Sequence, residues 1–240
     1  MSTLFISDLH LEADRPDIAT QFFAFLDEEA VQAEALYVLG DLFESWVGDD
    51  DPNPHYAEVK AALRALSDHG VPTYFMHGNR DFMVGERFAA ETGMTILTDP
   101  VTVTLYGRDV LLSHGDAYCT DDHEYQAMRR MTRDPQWQAM MLDKPLEERL
   151  EIAAGARAAS KARYGTIDDE ITDVNQGAIE SALRDAGVDT MLHGHTHRPA
   201  VHEFELDGNE ATRIVLGDWY DQGSVVRWNE NGFELSAMPR

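Results

Sequence analysis

The chain of 240 residues has one cysteine, Cys119, and three lysines, Lys60, Lys144 and Lys161. A single thiol excludes an internal disulfide framework and any CxxC metal cluster. The sequence therefore points to a reducing compartment and to oxygen and nitrogen ligands for any metal. Basic charge is equally scarce: 19 Lys and Arg stand against 44 Asp and Glu, a formal net charge of -25. Nucleic acid is excluded as a general partner, because phosphate-backbone binding needs basic surface. So much acid reads as solubility, or adaptation to high salt, ahead of a patch for a basic partner. No uncharged apolar run approaches the roughly 18 residues needed to span a bilayer. The opening MSTLFISDLH has no basic region before its apolar stretch and no small-residue cleavage site, so no signal peptide is expected. These absences predict a cytoplasmic protein with no obligate protein partner, whose membrane contact is at most peripheral.

At 43% hydrophobic the chain can bury one large core, and its length fits a single domain over residues 1–240 with a smaller insertion. Short apolar runs at Leu4 to Ile6, Leu36 to Leu39, Thr73 to His77 and Val110 to Ser113 read as buried strands. Ile18 to Val31 and Tyr56 to Ser67 carry apolar residues at helical spacing between them, which predicts βαβ crossovers. Residues from about 121 to 186 have no strand-like run and read as a helical insertion. Within it, residues 129 to 163 hold eight basic and five acidic side chains, a local balance of +3 in a chain that is -28 elsewhere. That contrast marks the insertion as the place for an anionic ligand or membrane surface. Strands return at Asp189 to Leu192, Val201 to Glu205, Thr212 to Leu216, Ser224 to Trp228 and Phe233 to Ala237, with turns at Asp207-Gly208 and Asn231-Gly232. These predict a second sheet, mixed or antiparallel. The fold class expected is α/β, with two facing sheets flanked by helices.

The strand ends carry the chemistry. Ser7-Asp8-Leu9-His10, Gly40-Asp41, His77-Gly78-Asn79-Arg80-Asp81, Ser113-His114-Gly115-Asp116 and His193-Gly194-His195-Thr196-His197 each follow an apolar run. Taken singly, such motifs are common in surface turns. Five at five strand ends predict convergence on one rim, since ligands bind beyond the carboxyl ends of strands in open α/β sheets. A carboxylate such as Asp41 can bridge two divalent ions about 3.5–4 Å apart. Histidines and one amide complete both sites without excess negative charge. Asp8 and His10, like His195 and His197, are two apart, which suits an extended segment. Gly40, Gly78, Gly115 and Gly194 are expected to permit tight turns beside the ligands. His55, His69, His123 and His202 read as surface or capping residues, and His77 as a support for the Gly78-Asn79 turn.

In order along the chain these motifs match D-x-H, G-D, G-N-[RHD], H-G and G-H-x-H, and the sequence resembles the calcineurin-like metallophosphoesterase superfamily over essentially its whole length. The resemblance implies a two-sheet αββα sandwich with a helical lid. It implies two divalent metal ions, one held by Asp8, His10, Asp41 and His197 and the other by Asp41, Asn79, His114 and His195. Asp41, Asn79, Arg80 and His114 would be catalytic, with Arg80 neutralising charge on phosphate. SDLHLE, GDLFE with Trp46 following, GNRDF, SHGDAYCTDD, ITDVN at 171 to 175 and HGHTHRPAVH further resemble the UDP-2,3-diacylglucosamine pyrophosphatase family of lipid A biosynthesis.

That narrower resemblance implies Mn2+ as cofactor, a UDP-diacylglucosamine-type lipid nucleotide as substrate, and peripheral association with the cytoplasmic side of the inner membrane. The reaction would be attack by a hydroxide shared between the ions on the α-phosphorus, giving UMP and the lipid phosphate. Asn79, Arg80, Asp122, Tyr125, Arg157, Ser160 and His195 would contact substrate. Met128, Met131, Trp137, Met140, Met141 and Leu142 offer an adaptable apolar surface for acyl chains, although such a face is also ordinary core. Where the family's lid presents an Asn and a Lys, this chain has Tyr164 and Ile167, and Arg157, Lys161 or Arg163 would have to replace the lost charge. This keeps open a nucleotide or dinucleoside-polyphosphate phosphohydrolase on the same scaffold. More remote is a non-catalytic interaction module of the same fold.

Overall fold

A computed structural model describes residues 1–164 and 171–240, with the backbone alone at Tyr164. The Tyr164 side chain and Ile167 lie outside the described residues, so their substitution for Asn and Lys has no structural account. The first half alternates β1 (Thr3–Ile6), α1 (Pro16–Glu28), β2 (Ala35–Leu39), α2 (Pro54–Asp68), β3 (Thr73–Met76), α3 (Glu86–Thr92) and β4 (Thr95–Leu97). Pro16 and Pro54 open their helices where no N–H is needed, and Asn53 caps α2 by accepting from the His55 N–H. The strands β1 to β4 run parallel, in register Leu4 with Leu36 and Val38 with Phe75.

A second series follows: β5 (Val101–Leu105), β6 (Arg108–Leu112), α4 (His123–Thr132), α5 (Pro135–Leu142), α6 (Leu146–Tyr164), α7 (Gln176–Ala186), β7 (Thr190–His193), β8 (Ala200–Leu206), β9 (Asn209–Val215), β10 (Gly223–Asn229) and β11 (Gly232–Met238). The second sheet has the order β5-β6-β7-β9-β8 and is mixed, with β6, β7 and β9 parallel and antiparallel partners at its edges. The hairpin β10-β11 does not join it. It extends the first sheet, giving β11-β10-β1-β2-β3-β4, with β10 antiparallel to β1. Burial on both faces explains the placement: Val226 and Trp228 pack between the sheets, while Val225 packs under the helices with Trp219. A strand buried on both faces belongs inside a sheet.

Three apolar layers result. One lies between the sheets, built on Phe5, Leu39 and Met76 against Leu112, Leu192 and Ile214. A larger one joins the first sheet to α1, α2 and α3, and a third joins the second sheet to α7 through Ile179 and Leu183. Helix α7, within the stretch expected as insertion, thus flanks the second sheet, because its apolar side chains meet Leu111 and Met191 there. The short α3, β4 and β5 are additions to the sequence reading, although β5 alternates Val101, Val103 and Leu105 with two threonines as a half-buried strand does.

Helices α4, α5 and α6 bury little of their own: α4 contributes no buried residue and α5 only Met141. They attach by charge. Asp116, wholly buried, meets Arg129 at 3.0 Å and Arg133 at 3.4 Å and accepts from the Tyr125 hydroxyl at 2.8 Å. Arg149, also buried, donates to the Val47 carbonyl at 2.7 Å and to Asp50 at 2.8 Å. No helix among the described residues is long and apolar enough to cross a membrane.

Candidate metal centre

Beyond β1 and β2 the two chains stay paired. The N–H groups of Asp8, His10 and Leu11 donate to the carbonyls of Gly40, Asp41 and Leu42 at 2.9–3.0 Å. The Asp-Leu-His segment is not extended, however. Asp8 (φ 56°), His10 (φ 52°), Asp41 (φ 51°), His195 (φ 68°) and His197 (φ 56°) all take left-handed backbone. Such conformations cost about 1–3 kcal/mol each and persist only where the surroundings over-determine them. Here Leu9 and Leu11 are fully buried in the core under α1, and curling at Asp8 and His10 lets the leucines face inward while the ligands face the rim.

Asp81 supplies part of that determination. Wholly buried, it accepts the N–H of Gly78 at 2.8 Å, of Leu42 at 2.7 Å and of Asp41 at 3.3 Å, so one carboxylate ties the loop after β2 to the loop after β3. Burial and the neighbouring Asp41 charge push its carboxyl up to about 7. Two of the glycines expected to serve tight turns serve contact instead. A Cβ on Gly78 would lie 2.1 Å from Asp41 Oδ1, and one on Gly194 would lie 2.3 Å from Asp8 Oδ2, with no positive φ at either.

The ligand atoms gather in two groups: Asp8, His10 and His197, and Asp8, Asp41 and His114, each within 4.8 Å. His10 Nε2 lies 3.2 Å from His197 Nε2 and 3.9 Å from Asp41 Oδ2. On the far side His114 Nε2 lies 3.8 Å from Asp41 Oδ1 and 3.1 Å from Asn79 Oδ1. Asp41 therefore turns one oxygen to each side. Asp8 reaches both groups, where the sequence reading gave it to one. The His195 ring stands edge-on to His114 with centroids 5.0 Å apart, and the His195 backbone N–H donates to Asp8 Oδ2 at 2.9 Å. All seven side chains expected as ligands meet at this rim.

These residues fit cations. His10 Nε2 and His197 Nε2 face each other at 3.2 Å, and with carboxylates behind both Nδ1 atoms both lone pairs can turn to one cation. Asp8 Oδ1 is buried and accepts no hydrogen bond, a debt that coordination would settle. Oxygen and imidazole donors suit hard to borderline divalent ions. The electrostatics agree. Burial would raise the Asp8 carboxyl, but His197, His114 and His10 hold it well below the usual carboxylate range. Burial opposes protonation of His114 and His197, yet the surrounding carboxylates push them up to about 9 and about 10. Desolvation and the facing His114 push the half-buried His195 down to about 3.

Carboxylates outside the ligand set back two histidines. Glu44 Oε2 lies 2.8 Å from His10 Nδ1, and Asp218 Oδ2 lies 3.3 Å from His197 Nδ1. His114 Nδ1 instead lies 2.9 Å from the Leu39 carbonyl. The sequence reading missed Glu44 and Asp218 as functional residues. Glu44 stood in view within GDLFE, whereas Asp218 is brought in by the chain leaving β9 and has no local signal. Tyr220, also missed, stacks on His10 at 5.2 Å. His193 stays out of the centre, wholly buried with Nε2 3.2 Å from Arg213. His77 Nε2 lies 2.7 Å from the Val84 carbonyl, supporting its loop.

A cavity of about 270 Å³ opens on the centre, lined by His10, Asp41, Asn79, Arg80, His195 and Tyr220 among others. A second, of about 470 Å³, lies under α4 and α6 and has apolar walls of Trp46, Phe82, Met128, Met131, Trp137 and Met141. Asn79, Arg80 and His195 line both. Of the remaining residues expected at substrate, Asp122, Tyr125, Arg157 and Ser160 line the larger cavity. Three of them carry structural contacts as well: Asp122 caps α4 and takes two bonds from Arg163 at 2.6 and 2.7 Å, Tyr125 bonds Asp116, and Arg157 meets Glu44 at 2.7 Å. Met140 and Leu142 are exposed.

The calcineurin-like phosphoesterase profile matches residues 1–199, which takes in every side chain of the centre from Asp8 to His197. The chain belongs to that family. Within it, a protein of Stenotrophomonas maltophilia named UDP-2,3-diacylglucosamine hydrolase is 51% identical over 100% of both chains. A namesake from Serratia proteamaculans is 50% identical over 100% of both, and one from Xanthomonas oryzae pv. oryzae 50% identical over 99% of both. The chain is thus a metallophosphoesterase-fold hydrolase with the full length of these relatives.

Proposed function

We propose that this chain hydrolyses the diphosphate bond of UDP-2,3-diacylglucosamine, giving UMP and 2,3-diacylglucosamine 1-phosphate. Identity of about half, over whole chains, to proteins named for that hydrolysis supports the reading. The observation that carries it is the junction of the two cavities: Asn79, Arg80 and His195 line both a polar centre and an apolar chamber. A substrate with a diphosphate and two acyl chains needs both.

In this reading two Mn2+ ions are held, one by Asp8, His10, Asp41 and His197, the other by Asp41, Asn79, His114 and His195. When bound, such ions supply Lewis-acid neutralisation of phosphoryl charge and make an attacking water acidic. The chain's own residues do the rest. Arg80 binds phosphate oxygens, a charge-assisted contact that strengthens as negative charge builds. Tyr125, with its ring 5.7 Å from His195, walls the reacting phosphate from solvent. The methionines of α4 and α5 adapt to acyl chains of varying shape, and α4 to α6 serve as the lid, with Asp122, Arg157 and Ser160 beside the phosphosugar. A peripheral seat on the cytoplasmic face of the inner membrane comes to this reading from the family resemblance, since Arg129, Arg133, Arg149, Arg157 and Arg163 pair with carboxylates of the chain.

The test is a coupled UMP-release assay in ¹⁸O-labelled water with Mn2+ added, comparing UDP-diacylglucosamine with a diuridine polyphosphate. Turnover of the lipid nucleotide, with label in UMP, is expected. Preference for the dinucleotide would overturn the substrate, and label only in the lipid phosphate would overturn attack at the α-phosphorus.

A further inference from the structure

We propose that Glu44 is a positioning residue for His10, and that through Arg157 it links the seating of α6 to the hold on the ion at the His10 side of the centre. This rests on the reading of Asp8, His10, Asp41 and His197 as ligands.

Glu44 stands where three parts of the molecule meet. Its backbone N–H donates to the Leu11 carbonyl at 3.1 Å, so its position is fixed to the segment that carries His10. Its side chain is nearly buried, and its two oxygens face opposite ways. Oε2 lies 2.8 Å from His10 Nδ1, and Oε1 lies 2.7 Å from the Arg157 guanidinium of α6. A carboxylate on Nδ1 keeps the imidazole proton there and leaves the Nε2 lone pair toward the centre, where His197 Nε2 and Asp41 Oδ2 stand at 3.2 and 3.9 Å. The ring is also held flat by Tyr220, at an interplanar angle of 14°. The 2.8 Å approach of His10 Nδ1 to Glu44 Oε2 is an ion-pair contact without hydrogen-bond alignment, and neither atom has a hydrogen-bond partner among the described residues. Each therefore depends on the other.

The comparison with the other histidines makes Glu44 distinct. Asp218 backs His197 in the same way, but its second contact is the Tyr220 N–H, on the body of the protein. The Leu39 carbonyl behind His114 is strand backbone. Among the described residues, Glu44 is the backing group of these three that also grips α6. A side chain shared between a ligand and a helix couples the two, and the coupling is reciprocal: what steadies α6 tightens the ion, and the ion steadies α6.

The experiment measures Mn2+ affinity, by electron paramagnetic resonance of free Mn2+, on chelator-stripped full-length protein with folding checked by circular dichroism. Glu44→Ala is expected to weaken Mn2+ about 10–100-fold, the usual range for removing such a group. Glu44→Gln, which keeps an acceptor oxygen, weakens it less and carries the same test should the alanine variant not fold. Arg157→Ala is expected to weaken Mn2+ several-fold in the wild-type background and in Asp218→Ala, and to have no further effect in Glu44→Ala or Glu44→Gln. Wild-type affinity in both Glu44 variants overturns the positioning role. An Arg157→Ala loss that adds in full to that of a Glu44 variant overturns the link to α6. Failure of the wild-type chain to bind Mn2+ would instead overturn the ligand reading itself.

Discussion

Asp8, His10, Asp41, His195 and His197 sit on left-handed backbone, pinned by hydrogen bonds between loops and by a buried leucine on either side of His10. Helices α4 to α6 supply the other wall of the site with few buried side chains, and they are attached through Asp116, Asp50 and Glu44. The first region is held by packing and geometry, the second by charges at a handful of points. Chemistry that needs ligands placed to a fraction of an ångström belongs on the first. Accommodation of flexible chains suits the second. Changes in the body should therefore abolish turnover, and changes in the helices should tune it.

The largest effect tests the rigid side. Asp41→Ala and His114→Ala are expected to lower kcat at saturating Mn2+ by at least about a thousandfold while circular dichroism stays native, since each removes a group acting on the reacting centre. Wild-type turnover would remove them from it. Next comes Gly78→Ala. Its Cβ would sit 2.1 Å from Asp41 Oδ1, so Asp41 must move, and we expect a stability loss of about 1–3 kcal/mol in urea unfolding together with a large loss of activity. Removal of metal addresses the same region by mass action. Stripped protein given Mn2+ at 100 times its Kd should gain about 2.7 kcal/mol, read as a higher Tm. The smallest expected effect lies on the helical side. Arg149→Ala breaks contacts to Val47 and Asp50, but Asp50 is more than half exposed, so about 1 kcal/mol is expected. Hydrogen exchange should rise in α6 and remain unchanged in β1 and β2; equal rises in both would erase the distinction between the regions.

Legibility in the sequence followed the same divide. The parallel strands could be read because they are buried on both faces and appear as continuous apolar runs ending in ligands, as at Leu4 to Ile6 before Asp8. The convergence of the candidate ligand side chains could be read because each motif is local. What could not be read depends on contacts between distant residues. The left-handed backbone at Asp8 and His10 follows from the pairing with Gly40 and Asp41, which no spacing rule contains. β10 is buried on both faces and β11 only half-buried, and the pairing of β10 with β1, more than 200 residues away, is what draws the hairpin into the first sheet. Asp218 reaches His197 through tertiary structure alone. Helix α7 carries a pattern like its predecessors, and Leu111 and Met191 decide where it packs.

The central claim is that one reaction needs both regions, a polar centre on the body and an apolar chamber under the helices. The most direct measurement compares kcat/KM for UMP release from UDP-2,3-diacylglucosamine and from UDP-glucosamine without acyl chains, with Mn2+ present. The acylated substrate is expected to be turned over far more efficiently, with Met131→Asp narrowing the gap. Equal values for both substrates would contradict it.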